Sequence, residues 1–267
     1  VLTLCILNYN GADSLRESIQ SVLDQTQKPD RIVVIDNASI DNSRQIAVKM
    51  GVEVVDADNR NKFITGLNVA IKIANGGWLF FMQNDVVLDK NCIKHMLEDM
   101  PTHIFIAQPV IYQKNGKIDN AGMDYRWPGF GVRRNKKWWE GARYEQCGLV
   151  TTICFLMICP YDQYDIRFSP AYYEDIDFYL SSLREHYLIP SASATHLGNH
   201  TFSQTYKKAE ISKICLVNRN KLIRKHYRGA DRWLRLAVST SGYMVKKAFD
   251  VITERWVTAN NRKKVSV

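Results

Sequence analysis

The chain has 267 residues, 46% hydrophobic and 24% charged, with a formal net charge of +9. That length suits one large α/β domain or two small ones, and the composition excludes a disordered or collagen-like chain. The longest apolar run, residues 153–159, is strand-sized and far short of the ~20 residues that cross a bilayer.

The positive charge is unevenly spread. Residues 207–267 carry 16 Lys and Arg against 4 Asp and Glu, leaving 20 against 23 in residues 1–206. A basic tail on a slightly acidic body points to an anionic partner for the tail, or to a solvated basic helix. The first ten residues have no basic flank or small-residue cleavage site, so no secretory signal is expected. Six cysteines include no C-x-x-C pair. Between the Cys154/Cys159 pair and the His196/His200 pair 36 residues intervene, whereas a zinc finger separates its pairs by about 12–15. Their odd spacing also aims the two thiols at opposite faces of a strand. Reduced, buried thiols and a cytoplasmic setting are expected.

In chain order, residues 2–7 (LTLCIL) read as a buried strand. Residues 14–26 read as an amphipathic helix, with Leu15, Ile19, Val22 and Leu23 on one stripe. A strand at 31–36, a helix at 41–50 ending at Gly51, and a strand at 52–57 follow. A helix at 65–75 stops at Asn75-Gly76-Gly77, and a strand occupies 78–82. This β–α alternation predicts a mostly parallel sheet flanked by helices. Residues 104–160 read differently, as two short apolar pieces around a loop rich in aromatic, Gly and basic residues. Helices are expected at 172–184, 209–228, 230–240 and 243–257. No repeat or low-complexity linker marks a hard boundary.

Open parallel sheets bind ligands beyond the carboxyl ends of their strands. Asn8, Tyr9, Asn10 and Gly11 fall there after the first strand, and Asp36, Asn37, Ala38 and Ser39 after the second. Gln83, Asn84 and Asp85 follow the strand at 78–82. Each group alone could be turn or cap chemistry, as Ser39 or Asp41 could cap a helix. Neither a G-x-G-x-x-G nor a G-x-x-x-x-G-K-[ST] segment is present, which argues against a dinucleotide-dependent oxidoreductase and a phosphate-loop enzyme. A bound diphosphate would then need another positive charge, for which Mg²⁺ or Mn²⁺ on an acidic strand end is the natural source.

Six segments in order, NYNG (8–11), IDNASIDNS (35–43), NRNKFITGLNVAI (59–71), QNDVVLD (83–89), YYEDIDF (172–178) and HLGNHTF (196–202), resemble family 2 glycosyltransferases. The resemblance spans residues 1–228 and is nearest the rhamnosyltransferase-like branch that acts on surface polysaccharides. It implies a single GT-A-type domain with C-terminal helices. Residues 1–103 would form its nucleotide-sugar half, 104–228 its acceptor and catalytic half, and 229–267 a basic helical extension. It implies nucleotide contacts by Tyr9, Asn10, Asp36, Asn37, Asn68 and Asn84. Lys62, which with Phe63 replaces a common Gly-aromatic pair, is a candidate phosphate contact. QNDVVLD looks like a reduced D-x-D metal motif, with Gln83 in place of the first carboxylate and Asp85 retained. His196 then matches a metal ligand, with His200 a lesser candidate.

Glu174 and Asp175 match the acidic pair ahead of the acceptor site, Asp175 as the base. Acids in a first helical turn would also simply complement the helix dipole. Trp127, Trp138 and Trp139 would shape the acceptor site. The implied activity is inverting, metal-dependent transfer from a UDP- or dTDP-linked sugar to a glycan or lipid-linked acceptor. The basic tail would contact the inner face of the membrane, and no nucleic acid is expected. Two rival readings stay open: a glycoside hydrolase using Asp85 and Asp175, and a nucleotide- or glycan-binding protein that has lost catalysis.

Overall fold

The computed structural model describes residues 1–57, 63–101, 103–126, 130–134, 141–159, 163–182, 184–198 and 206–241. Lys62, Trp127, Trp138, Trp139, His200 and the helix expected at 243–257 lie outside them. The first half alternates as its apolar runs dictate: β1 (Leu2–Asn8), α1 (Leu15–Leu23), β2 (Arg31–Asp36), α2 (Ser43–Lys49), β3 (Glu53–Asp56), α3 (Phe63–Ala74) and β4 (Trp78–Gln83). A short β5 (Val86–Leu88) and α4 (Cys92–Asp99) follow. The second half contributes β6 (Ile106–Gln113), β7 (Ile118–Asn120), β8 (Met123–Arg126), β9 (Phe130–Arg133), β10 (Glu145–Cys147) and β11 (Cys154–Ile158). A 3₁₀ turn at Ile166–Phe168, α5 (Glu174–Ser182), β12 (His186–His196) and α6 (Lys208–His226) complete the named elements, and residues 229–241 are helical.

One sheet runs through both halves in the order β10-β12-β6-β11-β4-β1-β2-β3. β1 is parallel to β2 and β4, β2 to β3, and β6 to β12, whereas β11 is antiparallel to both β4 and β6. The reversed β11 was not expected, because an apolar run does not encode direction. β5 and the end of β12 pair separately, Val86 opposite His196.

β1 is buried along its whole length, and its alternating side chains divide the core. Leu4 and Ile6 pack with Leu15, Ile19 and Val22 of α1, Ala47 of α2 and Ile93 and Met96 of α4. Cys5 and Leu7 pack with Ile64, Leu67 and Ile71 of α3, Ile176 and Phe178 of α5 and Leu222 of α6. Cys154 and Cys159 fall in opposite cores, as their spacing requires. A Cβ on Gly66 would meet Leu7 Cδ1 at 2.3 Å, so the missing side chain lets α3 lie directly on β1.

Three elements differ from the expectation in ways that matter for the site. α4 and β12 gave no signal that was read. β12 carries Pro190 and the small Ser191, Ala192, Ser193 and Ala194, and its register with β6 shifts between Ile189 and Ser193. The helix expected from residue 172 begins at Glu174, because Tyr172 and Tyr173 have φ of 71° and 72°. No helix among the described residues is long and apolar enough to cross a membrane.

Candidate active site

The carboxyl ends of β1, β2 and β4 are joined by one buried amide. Asn8 Nδ2 donates to Asp36 Oδ1 at 2.9 Å, to Ser43 Oγ at 2.8 Å and to Ser39 Oγ at 3.1 Å, while Asn8 Oδ1 accepts from Asn84 Nδ2 at 2.8 Å. Asp36 also accepts from the Ser39 hydroxyl at 2.7 Å and backbone N–H at 3.1 Å, which closes the β2–α2 loop. Asn10 sits at φ 48°; its N–H donates to Ser39 Oγ and its Oδ1 accepts from the Ile40 N–H. A Cβ on Gly11 would stand 1.9 Å from Asn84 Nδ2, so only glycine fits beside this network. Asn37 is buried and its N–H donates to the Asn8 carbonyl, while Tyr9 is half-buried at the end of β1. Asp36, Asn37, Asn10 and Asn84 are therefore brought together by Asn8, which the sequence marked only as one of the polar residues after the first strand.

The turn after β4 is held from four directions. The Gln83 N–H donates to the Ile153 carbonyl, the Asn84 N–H to the Leu7 carbonyl, Ser18 Oγ to the Asn84 carbonyl, and the Leu197 N–H to the Asp85 carbonyl. The last bond brings the end of β12 to Asp85, so His196, 111 positions later, stands beside it. His196 Nε2 lies 3.2 Å from Asp85 Oδ2, and Nδ1 lies 3.0 Å from Asp119 Oδ2 on β7. Burial opposes the imidazolium, but the hydrogen bonds and charges of Asp119 and Asp85 outweigh it and push the His196 pKa up to about 9.

Asp85 is 5% exposed, and its Oδ1 has no hydrogen-bond partner among the described residues. A buried carboxylate oxygen left bare is costly. Asp85 and His196 could hold a divalent cation there, since Mg²⁺ commonly takes one or two carboxylates plus substrate phosphates. Among the described residues no three His, Cys, Asp or Glu side chains converge as a metal cage. Gln83, at the position of the missing carboxylate, donates from Nε2 to the Thr152 carbonyl at 3.2 Å.

A cavity of roughly 440 Å³ opens in front of this group, lined by Gln83, His196, Thr152, Tyr173, Glu174 and Asp175 among others. Neighbouring residues on a helix face different ways, and here Glu174 is buried while Asp175 is half-exposed. Glu174 Oε1 accepts from Thr152 Oγ1 at 3.0 Å, and Oε2 is buried without a partner among the described residues. Burial first, then the charge of Asp175, pushes the Glu174 carboxyl well above the usual carboxylate range. The third acid of this turn, Asp177, is paired with Lys225 and His226 of α6, each at 2.8 Å. Asn68, expected along a nucleotide, spends both ends of its amide on the Tyr164 backbone, at 2.8 Å each way.

The sequence missed three residues of this region. Asp119 lies on a three-residue strand with no motif around it. Thr152 precedes β11 where a strand was expected. Asn218 of α6 donates from Nδ2 to the carbonyls of Phe168, Ala171 and Tyr172, at 2.6, 2.9 and 3.1 Å, and so holds the loop that presents Glu174 and Asp175. An Asn on the buried face of an otherwise basic helix was the one available signal.

An open sheet with a crossover order and polar side chains gathered at its strand ends is the arrangement in which α/β domains bind ligands. The profile described as Glycosyl transferase family 2 matches residues 3–158, and the chain belongs to that family. It is 28% identical over 134 residues to an uncharacterised glycosyltransferase of Rickettsia prowazekii, covering 48% of this chain and 42% of that protein. A second such protein, from Rickettsia typhi, is 27% identical over the same length. The aligned stretch thus spans under half of these relatives. Among solved structures, GalNAc-T7 with UDP, GalNAc and Mn²⁺ superposes with a TM-score of 0.62 at 14% identity, covering 81% of this chain and 48% of that one. S. aureus TarS 1–349 in complex with UDP gives 0.55 at 15% identity, over 90% of this chain and 70% of that one. The fold is the GT-A fold of these glycosyltransferases.

Proposed function

We propose that the chain is an inverting glycosyltransferase moving a sugar from a UDP- or dTDP-linked donor to a glycan or lipid-linked acceptor. The observation that carries this reading is the convergence of Gln83, His196, Glu174 and Asp175 on one cavity at the strand ends, with Asp85 bonded behind it. Rhamnose as the sugar and surface polysaccharide as the product follow from the sequence resemblance. The UDP and Mn²⁺ found in structural neighbours support the donor class and the cation.

Tyr9 and Asp36, with Asn10, Asn37 and Asn84, are the side chains we assign to the base and ribose; Asn68 acts through Tyr164. Held by Asp85 and His196, Mg²⁺ or Mn²⁺ would supply positive charge facing the departing diphosphate. Asp175 takes the acceptor proton as the hydroxyl attacks the anomeric carbon from the opposite face, a single displacement that inverts configuration. Glu174, buried and bonded to Thr152, leaves the role of base to the half-exposed Asp175. The positive excess in residues 207–267 supports contact with anionic lipid at the inner face of the membrane.

The test is the melting temperature with UDP, dTDP, GDP and CMP, each with and without Mn²⁺. A ligand at about 100 times its Kd adds about 2.7 kcal/mol. We expect a metal-dependent shift with one nucleotide, lost in Asp85→Ala. Asp175→Asn should keep the shift and lose about 10²-fold or more in transfer. No shift with any nucleotide would return the chain to the glycoside hydrolase or the inactive binding protein, and full transfer by Asp175→Asn would remove the base assignment.

A further inference from the structure

Asp119 is the middle residue of β7, and the pairing of β7 with β6 is irregular at that point. Asn120 sits opposite Ile111 and Ile118 opposite Tyr112, so Asp119 is the extra residue of a β-bulge. Bulges re-aim a side chain, and they concentrate beside active sites. Here the bulge aims the Asp119 carboxylate at His196 Nδ1, 3.0 Å away.

The aim is held by a buried amide pair. Asn120 Oδ1 accepts from Gln108 Nε2 at 3.0 Å and from the Gly122 N–H at 2.8 Å. Gln108 Oε1 in turn accepts from the Thr151 N–H at 2.9 Å, next to Thr152 on the cavity wall. Gln108 and Asn120 are both fully buried. β7 is thus fastened to the same frame that carries Thr152 and Glu174.

We infer that Asp119 is the positioning residue of a carboxylate–imidazole–cation relay: it keeps one proton of His196 on Nδ1, so that a cation beside Asp85 would take the place of the Nε2 proton, which is released. The inference rests on the reading that Asp85 and His196 hold the divalent cation. It explains how a motif with Gln83 in place of a carboxylate keeps a usable site: an imidazole hydrogen-bonded to a carboxylate is a better-oriented and more basic ligand. Asp119 itself touches neither cation nor substrate; it acts through His196.

The experiment measures the Mn²⁺ dissociation constant by electron paramagnetic resonance, with Mn²⁺ alone and with Mn²⁺ plus UDP. Wild type, Asp119→Ala, Asp119→Asn, His196→Ala and the Asp119→Ala/His196→Ala double variant are compared. Asp119→Ala should weaken Mn²⁺ binding by about 10–100-fold. Asp119→Asn, which keeps an acceptor but not the charge, should fall between. In the His196→Ala background, Asp119→Ala should add nothing. Long-range ¹H–¹⁵N correlation of the Mg²⁺-loaded protein should show the Nδ1–H tautomer at His196. A dissociation constant within twofold of wild type in Asp119→Ala overturns the inference, as does a full loss in the His196→Ala background or an Nε2–H tautomer. A wild type that binds no Mn²⁺ under either condition overturns the cation reading as well, which separates the two failures.

Discussion

His186 shows what burial does to a single ionisable side chain. Its Nδ1 accepts from the Val150 N–H at 2.9 Å, and its Nε2 is buried without a partner among the described residues. Burial alone pushes its pKa down from 6.5 to about 3. Between those values the native state binds fewer protons than the unfolded chain. Its contribution is therefore complete above pH ~6.5 and is lost as pH falls toward ~3, a loss of about 2 kcal/mol by pH 5. His186→Asn keeps an acceptor for Val150 and removes the titration. Urea midpoints followed from pH 7 to 4 should fall more steeply for wild type than for the variant. Parallel curves would show that His186 is not the group responsible. His196 shifts up because Asp119 and Asp85 outweigh its burial, and Glu174 shifts up because burial itself favours the neutral form of an acid, with the charge of Asp175 adding to it. At this scale the sequence, through its family motifs, marked Glu174, Asp175 and His196, which line one cavity, Asp85 beside His196, and Asp36 in the Asn8 network. It was silent on Asp119, whose partner is 77 positions away, and on Asn8 as the hub, because an Asn at a strand end reads as a turn.

At the scale of elements, α6 fastens the loop that carries the acidic pair. Tyr172 and Tyr173 both occupy the left-handed region, which non-glycine residues adopt only at a cost of order 1–3 kcal/mol each when the surroundings hold them there. Asn218 supplies part of that hold through three carbonyls. Lys221 adds Nζ to the Arg167 carbonyl at 2.6 Å, and Lys225 adds Nζ to Asp165 at 3.0 Å and Asp177 at 2.8 Å. Asn218→Ala leaves buried carbonyls without their donor and should destabilise the protein by about 2–3 kcal/mol. Because the loop places Asp175, transfer should fall further than the lost folded fraction explains, with nucleotide-induced melting shifts retained. Equal loss of stability and activity would mean that the loop keeps its shape without Asn218. The elements up to Gln83 were legible because parallel strands buried on both faces read as unbroken apolar runs. β12 was not: Pro190 and a run of small residues interrupt its pattern where its second partner, beside β6, changes from β10 to β5. The site depends on that strand for His196.

For the whole molecule, the reversed strand β11 decides how the two halves of the chain relate. It pairs residue by residue with β4 from Cys154 opposite Met82 to Ile158 opposite Trp78, and its other edge meets β6 at Leu156 and Met157. Its faces also belong to different cores, Leu156 to that of α1, α2 and α4 and Phe155 to that of α3, α5 and α6. Phe155 stacks on Phe81 of the first half, with ring centroids 5.1 Å apart. A strand that joins both halves edge to edge and both cores face to face leaves no seam along which residues 1–103 could unfold separately from 104–228. Phe155→Ala opens a cavity at this junction and should cost about 3–5 kcal/mol. The loss should appear as one transition shifted to lower denaturant, coincident by tryptophan fluorescence and far-ultraviolet circular dichroism. Two resolved transitions, in the variant or in wild type, would mean that the nucleotide-side half is a domain in its own right and that β11 only rests against it.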